Sequence, residues 1–207
     1  MIIESGAGTD AATVDATSKA LRVLEYDDAG RSVARQSKAT YAAAGSFTPS
    51  ATPQDLVMIF GSATKTIRVL SMRIGTQNTA AGSQEFVLSK RSAVSTGGTV
   101  VAATAVPLDS ANAVATATVS HLTTSANTPG TAVGNINSKR VASTVLLPAT
   151  FAGIRDDAAV EMLPTDGSGV AQPVVLRGVA QGLAINFAGA ALVAGQVHNY
   201  NVIWTEE

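Results

Sequence analysis

Polar and apolar positions after residue 54 recur mostly with a period of two, the spacing of side chains that alternate across a β-strand. In GLAINFAG (182–189), Leu183, Ile185 and Phe187 share one face while Ala184 and Asn186 share the other. QEFVLSKR (84–91) sets Phe86 and Leu88 on one face. From Ala113 to Leu122 the small residues Ala113, Ala115 and Ala117 alternate with Val114, Thr116 and Thr118. LVMIF (56–60) does not alternate, and a continuous apolar run of that length suits a strand buried on both faces. In IRVLSMRI the apolar phase switches between Val69 and Leu70, which suggests a β-bulge or a change of packing partner. KRVASTVLLP (139–148), PVVLRGVA (173–180) and QVHNYNVIWTE (196–206) complete the set. About eight strands separated by Gly, Pro, Asn and Ser turns, with no amphipathic helical period, predict an all-β fold. The expected architecture is an antiparallel β-sandwich, of which a jelly roll is one form.

Residues 1–54 read differently. ALRVLEYDDAGRSV (20–33) has the pattern of a strand, an Asp-Ala-Gly turn and the start of a second strand. A hairpin this isolated is marginal by itself, because two strands bury too little surface. TYAAAGSF (40–47) is a run of small residues, and the prolines of TPSATP (48–53) favour extended backbone and stop any helix. The organisation expected is therefore an N-terminal arm and linker over 1–54, serving attachment or strand exchange, and a β-sandwich domain over 55–207. The stretch 92–112 is long for a hairpin and is expected to wrap over the outside, where loops carry function.

Composition narrows the partners. At 207 residues and 20.9 kDa a sizeable core can form, and with a net charge of -1 there is no basic field to neutralise nucleic acid or to hold an anionic membrane. Charged residues make up 14% of the chain against roughly 25% in ordinary globular proteins. Surfaces so poor in charge are often buried against copies of the same chain or a larger partner. With no cysteine there are no disulfides, thiolate nucleophiles or cysteine-ligated zinc. MIIESGAGTD lacks a basic segment and carries Glu4 where a signal peptide would be apolar, so Sec-type export is not expected. GLAINFAGAALVAGQV (182–197) falls short of the roughly 20 apolar residues of a spanning helix, and the reading is a soluble protein.

Candidate chemistry is sparse. FGSATKTIRV (60–69) has the lysine and threonine of a phosphate loop, but Thr64 occupies the place of the second glycine and Lys65 leads into a strand. The only histidines, His121 and His198, lie in separate strand-like segments without close ligand spacing, so neither a metal site nor a catalytic base is expected. Asp27-Asp28, Asp156-Asp157 and TDGSG (165–169) suit turns better than calcium loops, and no serine sits in a nucleophile elbow. Two Ser-Lys-Arg triplets, Ser89–Arg91 and Ser138–Arg140, could meet a phosphate or carboxylate of a partner, or be solvated strand ends. No catalytic residue, cofactor or metal is assigned. His198, Tyr200, Val202 and Trp204 share one strand face, the largest aromatic cluster in the chain, and the last three are read as packing near a subunit interface or as core.

TPSATPQDLVMIFGSATKTIRVLSMRIGT, VLSKRSAVSTGGT, PLDSANAVATATV, VVLRGVAQGLAINFAG and VHNYNVIWTEE, in that order, resemble a family of small structural proteins encoded by tailed bacteriophages, over residues 48–207. The leader VDATSKALRVLEYDDAGRSV is similar to segments that precede such domains in phage virion proteins. The resemblance implies a β-sandwich unit, commonly trimeric, that decorates or cements a capsid, located in the virion with the major capsid protein and its own copies as partners. It also implies, as an alternative, part of a fibre or a tail accessory protein; competing readings are a receptor-binding or tail-fibre tip, a lectin-like glycan-binding module, and an enzyme acting on glycans. Within the arm, Leu21, Val23 and Tyr26 are the expected docking residues. The GSATKT segment is expected to be a hairpin connection, with Gly61 supplying permissive backbone and Lys65 keeping the strand end in water.

Overall fold

Short runs of β-branched and aromatic residues, cut by glycine and proline, fold here into strands. The computed structural model describes residues 38–48, 55–77, 82–123, 127–143, 160–163, 173–187 and 196–207. Among them are twelve strands and no helix: β1 (Ala39–Phe47), β2 (Asp55–Phe60), β3 (Thr66–Gln77), β4 (Gly82–Arg91), β5 (Val100–Ala102), β6 (Val106–Pro107), β7 (Thr118–Leu122), β8 (Ala132–Ser143), β9 (Val160–Glu161), β10 (Val174–Arg177), β11 (Gly182–Phe187) and β12 (Val197–Glu206). The chain divides into two compact units, Met1–Lys38 and Ala39–Glu207, and every one of these strands belongs to the second.

Two antiparallel sheets pack as a sandwich. One has the order β10-β3-β12-β1-β6, with β9 also on β3, and the other β5-β7-β2-β11-β4-β8. Eight of the strands follow a nested rule. Numbering β1, β2, β3, β4, β8, β10, β11 and β12 from first to eighth, the first pairs with the eighth, the second with the seventh, the third with the sixth and the fourth with the fifth. β5, β6 and β7 interrupt this series between β4 and β8.

The inner faces interdigitate to form one core. Tyr41 of β1 stacks on its cross-strand partner Trp204 of β12 with ring centroids 5.8 Å apart, and Phe86 of β4 stacks on Phe187 of β11 at 4.8 Å. Ile67, Val69, Met72 and Ile74 of β3 and Leu56, Val57 and Ile59 of β2 complete it. Met58, Phe60 and Ala184 form a smaller cluster, and all six residues of β2 are buried, as the uninterrupted run LVMIF predicts. The phase change at Val69 and Leu70 corresponds to a bulge: Ile203 pairs Ser71 and Trp204 pairs Val69, so Leu70 has no partner of its own.

Four expectations are revised. Residues 39–47, placed in the arm by their small side chains, are β1, paired with β12 along nine positions. A Cβ at Gly45 would stand 2.7 Å from the Tyr200 hydroxyl, so the small residue admits a large cross-strand neighbour. Residues 61–65 are not a hairpin connection, since β2 and β3 belong to different sheets and this segment crosses between them. Gly61 has no room for a side chain, because a Cβ there would lie 2.5 Å from the Gly178 carbonyl oxygen; close approach, rather than conformational freedom, requires it. The alternating stretch from Ala113 is strand only from Thr118, and β8 begins at Ala132 instead of residue 139. The proposed hairpin at 20–33 lies outside the described residues.

Candidate functional site

The alternation of β12 sends His198, Tyr200, Val202 and Trp204 into the interior, where all four are buried within this chain. The core alternative for Tyr200, Val202 and Trp204 is thus where the geometry places them, their surfaces covered by this chain's own residues. His198 sits between its cross-strand neighbours Phe47 and Thr76, shares a 3.0 Å hydrogen bond with Thr76 Oγ1, and meets Phe187 and Phe86 of the opposite sheet edge-on. Burial lowers its pKa from 6.5 to about 4, so the imidazole is neutral at pH 7. His121 of β7 shares a 3.0 Å bond with the Tyr200 hydroxyl across the sandwich and stacks on Phe47. Burial lowers its pKa and raises that of Tyr200. These rings tie the sheets together. His198 Nε2, Gln196 Nε2 and Oε1, and Gln84 Nε2 are buried without a hydrogen-bond partner, so this end of the core is under-satisfied.

Glu206, at the far end of β12, is a structural acid. Its carboxylate accepts from the N–H groups of Thr116 (2.9 Å) and Ala117 (3.0 Å), the Thr116 hydroxyl (2.7 Å) and the Trp204 indole N–H (3.0 Å). Burial alone would push its pKa up, but the hydrogen bonds from Ala117, Trp204 and Thr116 outweigh it and hold the group below the usual glutamate value. Lys65 Nζ lies 3.4 Å from the same carboxylate. The lysine of the phosphate-loop-like segment therefore answers a carboxylate, and Ser62 Oγ accepts from the N–H groups of Thr64 and Lys65 to shape the turn.

A second lock opens β2. Asp55 Oδ1 accepts from Arg91 Nη2 at 2.6 Å and Asn186 Nδ2 at 2.9 Å, and Oδ2 from the Ser95 hydroxyl at 2.6 Å. Asn127 completes it, accepting from the Asp55 N–H and donating to the Asp55 carbonyl. Arg91, the last member of the first Ser-Lys-Arg triplet, is thereby buried against an acid of its own chain. In the second triplet the Ser138 hydroxyl donates to Glu85, while Lys139 and Arg140 are exposed on β8.

The histidines and the acids Asp55 and Glu206 are engaged in contacts within the fold. Among the described residues no three His, Asp or Glu side chains gather as metal ligands, and no helix is long and apolar enough to cross a membrane. Among the described residues, six of the nine exposed large apolar ones fall in the segment that follows β4: Val94, Val100, Val101, Val106, Leu108 and Val114. β5 edges one sheet and β6 edges the other, so with only residues 103–105 between them this segment forms one side of the sandwich. At the far edge of the second sheet lies β8, where Ala132–Arg140 are exposed apart from half-buried Asn137. No family model, curated protein or solved structure matches the chain.

The arm residues Leu21, Val23 and Tyr26 lie outside the described residues, as do Asp27-Asp28, Asp156-Asp157 and the TDGSG turn. Sequence reasoning missed Glu206 and Asp55 as organising acids, because, Trp204 apart, their hydrogen-bond partners are 36 to 131 residues away in the chain and leave no local spacing. One signal was present: Asp55 abuts the apolar run LVMIF and Glu206 falls in phase with Val202 and Trp204, and buried acids are rarely left unpaired.

Proposed function

We propose that this chain is a non-enzymatic structural subunit of a tailed-bacteriophage particle, a decoration or cement protein that assembles as a homotrimer and binds the major capsid protein at the capsid surface. The observation that carries the reading is the apolar side built by residues 94–114, where Leu108 is 63% and Val114 86% exposed in a chain with few surface charges. Such a side gains by leaving water against another subunit. It lies on the opposite edge of the second sheet from β8, and two different patches on opposite edges suit a head-to-tail contact that closes as a ring. Repeating a modest contact about a threefold axis makes a durable collar from weak parts.

The nested strand pairing supports the jelly-roll form, which recurs in viral capsid and lectin domains. The resemblance of residues 48–207 to phage structural proteins favours the first of these. A lectin-like module would offer aromatic rings to stack on sugars, and among the described residues the exposed large apolar side chains are valine, leucine and isoleucine. Electron cryomicroscopy of particles carrying the chain tests the location. Hundreds of evenly spread copies on the shell are expected, and density confined to the tail would overturn decoration in favour of a fibre or tip.

A further inference from the structure

β8 closes the second sheet. β4 pairs with it from Ala132 to Ser143, and among the described residues no strand pairs with its other edge. The strands at the other sheet ends are short: β5 has three residues, β6 two and β10 four. An added strand is held by main-chain hydrogen bonds in proportion to its length, so those edges seat too few. On β8 the register with β4 shifts twice, between Leu88 and Ser89 and between Lys90 and Arg91. These irregularities blunt the edge near Asn135 and leave Asn137–Ser143 in continuous register with Gly82–Leu88. That seat carries Lys139, and β8 contains no acid.

One segment of the chain matches it. Residues 21–26, LRVLEY, have strand composition and, at six residues, fit within the seven of the seat, and the acids Glu25, Asp27 and Asp28 outnumber Arg22. Residues 27–38 separate this segment from β1 and can extend about 40 Å, at roughly 3.3 Å per residue, about the span of the twelve-residue β8. We propose that the outer edge of β8, over Asn137–Ser143, receives residues 21–26 of a neighbouring copy as an added strand, with the acids at 25, 27 and 28 set toward Lys139. The assignment rests on the self-assembly reading above and names the edge and the segment through which copies are tied.

Full-length chain, half of it isotopically heavy, is unfolded in urea, refolded as a mixture so that heavy and light copies assemble together, and coupled with a zero-length carbodiimide. Amide links from Lys139 to Glu25, Asp27 or Asp28 are expected, with heavy–light pairs making up about half of them. Links confined to light–light and heavy–heavy pairs would place the arm on its own copy and overturn the exchange, as would Lys139 linking elsewhere or not at all. Full-length Val23→Pro gives a second readout, because proline removes a donor from the arm without touching the sandwich. Amide hydrogen exchange over Asn137–Ser143 should speed up at least tenfold while that over Asp55–Phe60 is unchanged; equal exchange in both proteins refutes the proposal. A particle of several subunits by light scattering that lacks the links leaves self-assembly standing and removes this edge, whereas a monomer removes both.

Discussion

β2 and β8 belong to one sheet and differ in nearly every physical respect. All six residues of β2 are buried, its two neighbours are β7 and β11, and its first residue is clasped by Arg91, Asn186, Ser95 and Asn127. β8 is twice as long, has a single strand neighbour among the described residues, and from Ala132 to Arg140 is exposed except at Asn137. The difference teaches where stability resides and, on the reading proposed above, where recognition does. Central strands hold the sandwich through apolar burial and buried polar locks. The edge strand contributes little to that core and offers backbone, charge and isolated apolar side chains to whatever approaches.

The largest test of this contrast removes the lock at the start of β2. Asp55→Ala leaves Arg91 buried without its carboxylate and should cost about 3–5 kcal/mol in urea unfolding, since breaking a buried pair strands the remaining charge. A loss under 1 kcal/mol would show that the pair is not truly sequestered. A matched pair of isoleucines comes next. Ile59→Ala in β2 empties a fully buried site and should cost about 2–5 kcal/mol, whereas Ile136→Ala on β8, 43% exposed, should stay within about 0.5 kcal/mol. Comparable losses would erase the distinction between centre and edge.

Acid sharpens it further. His198 is neutral in the folded protein down to about pH 4, while in the unfolded chain it takes up a proton near 6.5. The unfolded state therefore binds more protons between these values, and stability is full above pH 6.5 and falls progressively toward pH 4, by up to about 3 kcal/mol. His198→Leu should flatten that part of the profile, measured by denaturant midpoint against pH. Glu206 acts lower on the scale. Its folded pKa lies below the unfolded value, so its contribution is present above the usual glutamate range and is lost as pH falls through the depressed folded value. Glu206→Gln should cost about 1–3 kcal/mol at pH 7, the worth of hydrogen bonds to a charged group, and remove the stability loss in that most acidic window.

Legibility in the sequence followed the same division. LVMIF announced a strand buried on both faces, Leu183, Ile185 and Phe187 announced an inner face, and the phase slip at Leu70 announced a bulge, because burial imposes a hydrophobic pattern that residues must obey. β8 was read seven residues too late, since an exposed edge imposes no such pattern and AVGNIN carries glycine and asparagine in place of alternating apolar residues. β1 was hidden by the run Ala42, Ala43, Ala44 and Gly45, of which Gly45 answers the bulk of Tyr200 on the next strand. The locks around Asp55 and Glu206 were unreadable for a different reason, being assembled only when distant strands meet.

The central claim is that this sandwich works by offering surfaces to copies of itself. Light scattering of the full chain across a range of concentrations tests it most directly. The account predicts a particle of three times the 20.9 kDa chain mass that persists on dilution, and a mass equal to a single chain at every concentration would contradict it.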